Sequence, residues 1–93
     1  MRHDKLNDQQ LKTLTDAHCR MYENRIRRAN EGARGIRVDE CQVLLGIWQS
    51  IEGKLQQGNW RLRLTKDEVA EIQDALDSGE YDALLAKAED APS

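Results

Sequence analysis

Apolar positions recur with helical spacing over the first third of the chain. At 100° per residue, those between Asp8 and Asn30 fall on one arc of roughly 140°, and they are Leu11, Leu14, Met21, Tyr22, Ile26 and Ala29. Asn7 or Asp8 can cap the first amides of such a helix, and Gly32 can end it. The pattern therefore predicts a long amphipathic helix over residues 8–30.

A second long helix is predicted from Asp39, a suitable cap, to about Gln57, with Gly58 as its stop. Its apolar positions span an arc of about 200°, which is too wide for a helix with one buried face. We therefore expect this helix to lie between neighbours or to be shared with another subunit. Gly46 and Gly53 lie on nearly one face and each cost about 1 kcal/mol relative to alanine, which a close helix contact would offset.

Two shorter helices are predicted in the C-terminal third. Thr65 and Glu68 have the spacing of a capping box at the start of a helix over 66–77. Ser78 and Gly79 then end this helix, and a last helix of about 80–89 is predicted after them. The pattern predicts an all-α fold of two long helices and a shorter C-terminal helical pair.

The segment 59–64 departs from helical spacing, because apolar and basic residues alternate in it. This alternation is typical of a half-buried extended segment. Together with 36–38 it would form a minimal two-stranded ribbon (36–38 with 60–64), and the alternative is an irregular connection. We expect one domain over 1–93, with 1–7 and 90–93 frayed.

Charge is distributed unevenly along the chain, although the net charge is only −3. Residues 1–64 hold 12 basic and 8 acidic side chains, a net charge of +4, whereas 65–93 hold 2 basic and 9 acidic side chains, a net charge of −7. A patch of one sign acts on partners through long-range attraction far more than it acts on the fold.

Nothing in the sequence predicts export or a membrane partner. No apolar run follows the charged start, and none approaches the ~20 residues of a membrane span. Cys19 and Cys41 are isolated and do not form a disulfide framework, which favours a cytoplasmic protein. Because the chain has no Phe and a thin set of core residues, we also expect a homo-oligomer.

Catalytic, metal and cofactor sites are not predicted. His3 lies near the terminus and His18 on an apolar arc, and no third group is indicated that would orient either imidazole. His18, Cys19 and Cys41 lack the spacing of a zinc site, and no nucleotide-binding glycine motif is present.

The arginines between 20 and 37 fall on different faces. Arg20 and Arg27 lie opposite the apolar arc and Arg28 at its edge, while Arg25 lies within it. Three interpretations of Arg25 compete: its stem covers apolar surface while its head reaches water, it pairs with an acid of the C-terminal helices or of another subunit, or it lines a pocket for a nucleotide or similar anion between subunits.

Candidate binding residues follow from the arginines and from two tryptophans that could stack or dock. They are Arg25, Arg28, Arg34, Arg37, Trp48, Trp60, Arg61 and Arg63. Arginine binds phosphate through two parallel hydrogen bonds, and tryptophan can stack on a base. Against duplex binding, the pI is 5.3 and the connections between the helices are longer than that of a helix-turn-helix.

The leading hypothesis is a non-enzymatic interaction protein that docks on a macromolecular partner, most readily a protein, as an inhibitor, adaptor or regulator. Small size, acidity and the lack of catalytic motifs are typical of accessory proteins of phages and mobile elements, such as inhibitors of host defence. The alternative is a binder of a phosphate ligand or nucleic acid that uses segments 25–37 and 60–63. A further alternative surface is the acidic face of 67–82, formed by Asp67, Glu71, Asp74, Asp77 and Asp82.

Overall fold

The computed structural model describes residues 1–89, so the predicted fraying of 90–93 lies outside the described residues. Within 1–89 there are five α-helices and no strand, which confirms the all-α prediction. A turn of 3-10 helix at His3–Lys5 precedes α1 (Asp8–Asn30), α2 (Val38–Gln57), α3 (Trp60–Arg63), α4 (Lys66–Ser78) and α5 (Asp82–Glu89).

Two capping boxes fix the starts of α1 and α4. Asn7 Oδ1 accepts a hydrogen bond from the Gln10 backbone N–H at 2.7 Å, and Gln10 Oε1 accepts one from the Asn7 N–H at 2.9 Å. Thr65 and Glu68 form the same reciprocal pair at distances of 3.3 and 2.7 Å. Both boxes satisfy N–H groups that a helix start leaves without partners, and both predicted starts are confirmed.

The start of α2 differs from its prediction. Arg37 occupies the capping position, and its side chain makes no capping hydrogen bond. Asp39, the predicted cap, lies inside the first turn with Glu40, where both carboxylates interact favourably with the positive end of the helix dipole. The predicted end is confirmed at Gly58, whose φ of 85° is a conformation that glycine adopts without strain.

The predicted ribbon of 36–38 with 60–64 is wrong. Asn59 adopts a left-handed conformation with a φ of 54°, and Trp60–Arg63 then forms the short helix α3. The alternating pattern misleads because Trp60 and Leu64, four residues apart, both pack against the core, while Leu62 is 89 % exposed. The partner segment is also occupied, since Val38 is already the first residue of α2.

Helix α1 is the centre of the fold, because α2 and α5 both pack along it. α2 runs back along α1, and their contact is marked by His18, whose ring stacks on Trp48 with centroids 4.1 Å apart. α5 is also antiparallel to α1: Tyr81 lies 4.7 Å from the His18 ring, and Gln10 Nε2 donates a hydrogen bond to the Leu85 carbonyl at 3.2 Å.

On its other sides, α2 contacts α3 and α4, which accounts for its wide apolar arc, although Val43 remains 64 % exposed. Lys54 of α2 forms an ion pair with the buried Glu68 of α4. Burial disfavours the charged carboxylate, but the hydrogen bonds from Lys54 and the Thr65 backbone hold the pKa of Glu68 below its ordinary value. The pair therefore joins α4 to α2 through Glu68 Oε1, while Oε2 is buried without a hydrogen-bond partner.

The N-terminal segment 1–7, which was expected to fray, contacts the core and α4. Leu6 is fully buried in the core. The backbone N–H of His3 donates a hydrogen bond to Gln73 Oε1 of α4 at 3.2 Å, and Arg61 Nη2 donates one to the Leu6 carbonyl. None of the helices within 1–89 combines the length and apolar character that a bilayer span requires.

Gly46 and Gly53 have no neighbour in the described chain that requires a glycine. A Cβ atom built at either position meets no atom within 4 Å beyond the local helix, so the expected close helix contact is not formed within 1–89. We expect Gly46→Ala and Gly53→Ala each to raise the free energy of unfolding by about 1 kcal/mol, because alanine loses less backbone entropy in a helix. Urea unfolding followed by circular dichroism measures the change.

Gly58→Ala serves as the control of opposite sign, since a φ of 85° strains alanine. A loss of stability in the Gly46→Ala or Gly53→Ala variant would contradict the prediction.

His18 lies in the core between α1, α2 and α5. Its Nδ1 is 2.8 Å from the Leu14 carbonyl oxygen, which can only accept, so Nδ1 carries a proton and donates it. Burial lowers the pKa of His18 below 6.5, although the Leu14 hydrogen bond and the Glu80 carboxylate act in the opposite direction. The fold therefore accommodates the neutral imidazole.

We expect the folded protein to lose stability as the pH falls below about 6.5, by up to about 1.4 kcal/mol per pH unit. In this range the unfolded chain binds a proton at His18 and the folded chain does not, so protonation favours unfolding. Urea unfolding between about pH 7.5 and 5.5 measures the slope. His18→Gln should flatten it and His3→Gln should preserve it; an unchanged slope in His18→Gln would refute the assignment.

Candidate functional site

An open cleft lies where α1 ends and α2 begins. It has a volume of about 320 Å³. Four of the candidate arginines are among the residues that line it, which are Tyr22, Arg25, Arg28, Ala33, Arg34, Gly35, Ile36, Arg37, Glu40, Cys41 and Leu44. We call this feature the arginine cleft.

Local structure explains why these side chains meet. Tyr22, Arg25 and Arg28 are spaced by three residues and so follow one strip of the last turns of α1. The loop 31–37 then reverses the chain and contributes Arg34 and Arg37. Because α2 runs back along α1, its first two turns complete the opposite wall.

The cleft has a net positive charge, with four guanidinium groups against the one carboxylate of Glu40, a difference of +3. Arg37 Nε lies 3.6 Å from Glu40 Oε2, and both side chains are largely exposed. Among residues 1–88, whose side chains the structure describes, Arg25, Arg28 and Arg34 form no salt bridge. Three cations therefore remain available to an anion.

Tyr22 forms the inner wall of the cleft. Burial raises the pKa of its hydroxyl, and the nearby Glu71 carboxylate acts in the same direction, while Arg25 opposes them. The Arg25 guanidinium lies 5.7 Å from the centroid of the Tyr22 ring, within the range of a cation–π contact. The hydroxyl is therefore protonated at neutral pH and can donate a hydrogen bond.

Arg25 lies on the apolar arc of α1, but its side chain is exposed. The apolar arc of α1 gives the direction of residue 25, but near the C-terminal end of α1 that direction faces the open cleft. This exposure agrees with the first of the three interpretations, in which the guanidinium group reaches water. The acid pairing of the second interpretation does not occur among the side chains of residues 1–88. As in the third, Arg25 lines a cavity, which here lies within one chain.

Trp48 and Trp60 were expected on a binding surface, and the structure buries both. Their exposed fractions are 0 % and 2 %. Trp48 stacks on His18, and Trp60 Nε1 donates a hydrogen bond to Asp8 Oδ1 at 2.7 Å. Both rings are core residues that hold helices together.

Arg61 and Arg63 do not join the arginine cleft. Arg61 lies over the Trp60 ring at 4.3 Å and hydrogen-bonds the N-terminal segment, and Arg63 donates to Gln57 Oε1 at 2.7 Å. These contacts place α3 near the start of α1, about 25 Å along the helix from Arg25 at 1.5 Å per residue. The two segments of the alternative hypothesis, 25–37 and 60–63, therefore do not form one patch.

The acidic face of 67–82 is present as a surface, since Asp67, Asp74, Asp77 and Asp82 are all exposed. Glu71 differs, because burial raises the pKa of its carboxyl group while the Trp48 indole N–H partly offsets the rise. The face is thus narrower than the sequence predicted.

Sequence reasoning missed the walls of the cleft. Glu40 and Leu44 lie on α2 and Tyr22 on α1, and the sequence analysis treated each helix without reference to the other. The available signal was the seven-residue connection 31–37, which is short enough to place the end of α1 beside the start of α2.

The chemistry available in the cleft is the binding of negative charge. Guanidinium groups donate in a planar fork that matches carboxylate and phosphate oxygens. Within 1–89, no three His, Cys, Asp or Glu side chains are grouped to hold a metal ion.

The chain matches no known protein-family model, no curated protein and no solved structure.

Both cysteines are buried free thiols. Burial raises the pKa of Cys19 to about 11, and the carboxylates of Glu52, Glu23 and Asp16 add to the rise. Since the thiolate is the nucleophile, Cys19 is poorly suited to covalent chemistry.

We expect iodoacetamide to modify Cys19 at about pH 8 more slowly in the folded protein than in urea, by on the order of 100-fold. The thiolate fraction falls by roughly this factor when the pKa rises from about 8.5 to about 11. Mass spectrometry of a Cys41→Ser variant isolates the reaction of Cys19. Equal rates in the two states would show that the thiol is activated by its surroundings.

Proposed function

We propose that this chain is a non-enzymatic interaction protein that docks on a macromolecular partner, most readily another protein, and that the arginine cleft receives an anionic group of that partner. The supporting observation is the convergence of Arg25, Arg28, Arg34 and Arg37 around one concave site. A role as inhibitor, adaptor or regulator, in the manner of phage accessory proteins, remains a prediction from the sequence.

The concave shape of the site favours the binding of a ligand over a surface whose arginines are only hydrated. Binding sites are typically concave, with apolar walls and a few convergent polar groups. Here Ile36 and Leu44 provide apolar wall beside the guanidinium groups, and the Tyr22 ring provides the inner side. A group held there is partly removed from water, where charge-assisted hydrogen bonds are stronger than at an open surface.

Duplex binding is less well supported than the docking of one compact anionic group. A binder of a nucleic-acid backbone needs a basic stripe along the molecule. Arg61 and Arg63 lie at the other end of α1 and are engaged in contacts within the chain. The exposed acids of α4, including Asp67 and Asp74, would repel phosphates that extend beyond the cleft.

The other surfaces remain predictions. The exposed aspartates of α4 are the acidic face that would meet a basic partner. Self-association would cover the exposed Val43 on α2, and a cytoplasmic location agrees with the two free cysteines.

We expect a fluorescent polyglutamate peptide to bind at ~50 mM salt and to bind about tenfold more weakly to an Arg28→Gln/Arg34→Gln variant, because charge-assisted hydrogen bonds are lost. Both arginines are exposed, so the variant should fold. Fluorescence anisotropy measures the affinity.

The matched control is Arg20→Gln/Arg27→Gln, which removes the same charge from exposed positions outside the cleft. Equal weakening by both pairs would show that only net charge matters and would reject the cleft as the site. An oligonucleotide probe run in parallel decides the alternative: tighter binding than the peptide, lost in the same cleft variant, would favour nucleic acid.

A further inference from the structure

We propose that the anionic group received by the arginine cleft is a phosphate monoester in its dianionic form. This inference rests on the proposed function, because it names the chemical class bound at the same site. Three features of the cleft support it, which are its charge, its size and the backbone at its edge.

The charge of the cleft exceeds what a carboxylate needs. Glu40 is paired with Arg37, and Arg25, Arg28 and Arg34 form no salt bridge with the side chains of residues 1–88. One carboxylate has two oxygens and a single charge, which one guanidinium fork satisfies. A phosphate monoester has three terminal oxygens and a charge approaching −2, so it can accept hydrogen bonds from two or three guanidinium groups at once.

The size of the cleft favours a terminal phosphate over a phosphodiester backbone. Its volume of about 320 Å³ is at the low end of the range of about 300–1,000 Å³ for ligand pockets. A phosphate group and the first atoms of its carrier would fill such a site, with the carrier against Ile36 and Leu44. A phosphodiester has a single negative charge, so it makes less use of the several guanidinium groups that line the cleft.

The backbone at the edge of the cleft adds to the same preference. Arg37 caps α2 without a side-chain hydrogen bond, and Arg37, Glu40 and Cys41 all line the cleft. The positive end of the α2 dipole therefore lies beside the guanidinium groups. This helix start is a supporting feature of a site that the arginines define.

The experiment compares AMP with cyclic AMP by isothermal titration calorimetry. The two share a base and a sugar, but AMP is a phosphate monoester and cyclic AMP a diester. At about pH 7.5 and ~50 mM salt, we expect AMP to bind at least about tenfold more tightly, the ratio that one additional charge-assisted hydrogen bond provides. The affinity for AMP should fall toward about pH 5.5, because the second ionisation of a phosphate monoester has a pKa of about 6.

Cyclic AMP also controls for titration of the protein. Tyr22, Glu40 and Cys41 are the titratable residues that line the cleft beside the arginines, and no histidine does. Burial raises the pKa of Tyr22, so its hydroxyl stays protonated over this range. Any pH dependence that comes from the protein should affect both nucleotides equally.

Arg28→Gln/Arg34→Gln should weaken the binding of AMP about tenfold, and Arg20→Gln/Arg27→Gln should leave it nearly unchanged. A phosphoserine peptide and its serine counterpart distinguish the carrier. Tighter binding of the phosphopeptide than of AMP assigns the monoester to a protein partner, and the reverse assigns it to a small phosphorylated molecule.

Equal affinity for AMP and cyclic AMP, or an affinity for AMP that does not change with pH, would overturn the inference. If polyglutamate still binds through Arg28 and Arg34 in that case, the proposed function stands and only the phosphate assignment is lost. If neither probe depends on these arginines, both proposals are rejected.

Discussion

The antiparallel contact between α1 and α2 determines where everything else in the protein lies. Its centre is the neutral imidazole of His18, which stacks on Trp48 and also contacts Tyr81, the residue before α5. The connection 31–37 has only seven residues, so it reverses the chain within a short distance. The last turns of α1 therefore lie beside the first turns of α2. The arginine cleft is the space that remains where the two helices part.

The charges of the cleft affect stability in two opposite ways. Cations near the C-terminal end of α1 interact favourably with its dipole, which supports Arg27 and Arg28 in the last turn. Four guanidinium groups around one cavity nevertheless repel one another, and only Glu40 among the lining residues offsets them. Exposure to solvent makes the repulsion tolerable, and a bound anion would relieve it. Functional sites commonly retain local strain of this kind.

The sequence predicts what depends on local chemistry and fails where the answer depends on a neighbour. The helix ends at Asn7, Gly58 and Thr65 follow from capping and from glycine conformation, so they were predicted within a residue or two. α3 was not, because four residues cannot distinguish a strand from a helical turn until the burial of Trp60 is known. The surroundings of Arg25 stayed open among three interpretations for a related reason: a helical wheel gives the direction of a side chain but not whether another helix covers it. Four of the five arginines of 25–37 were identified as candidates, and the walls that make them a cleft required the path of the chain.

Because both tryptophans are buried, their fluorescence does not report directly on the arginine cleft. Trp48 and Trp60 are fixed in the core, at the α1–α2 contact and beside Asp8. The aromatic residue that lines the arginine cleft is Tyr22. Indole emission thus reports the integrity of the helical core, and occupancy of the cleft must be followed by another probe. A change in indole emission upon ligand addition would accordingly indicate that the helices have moved relative to one another.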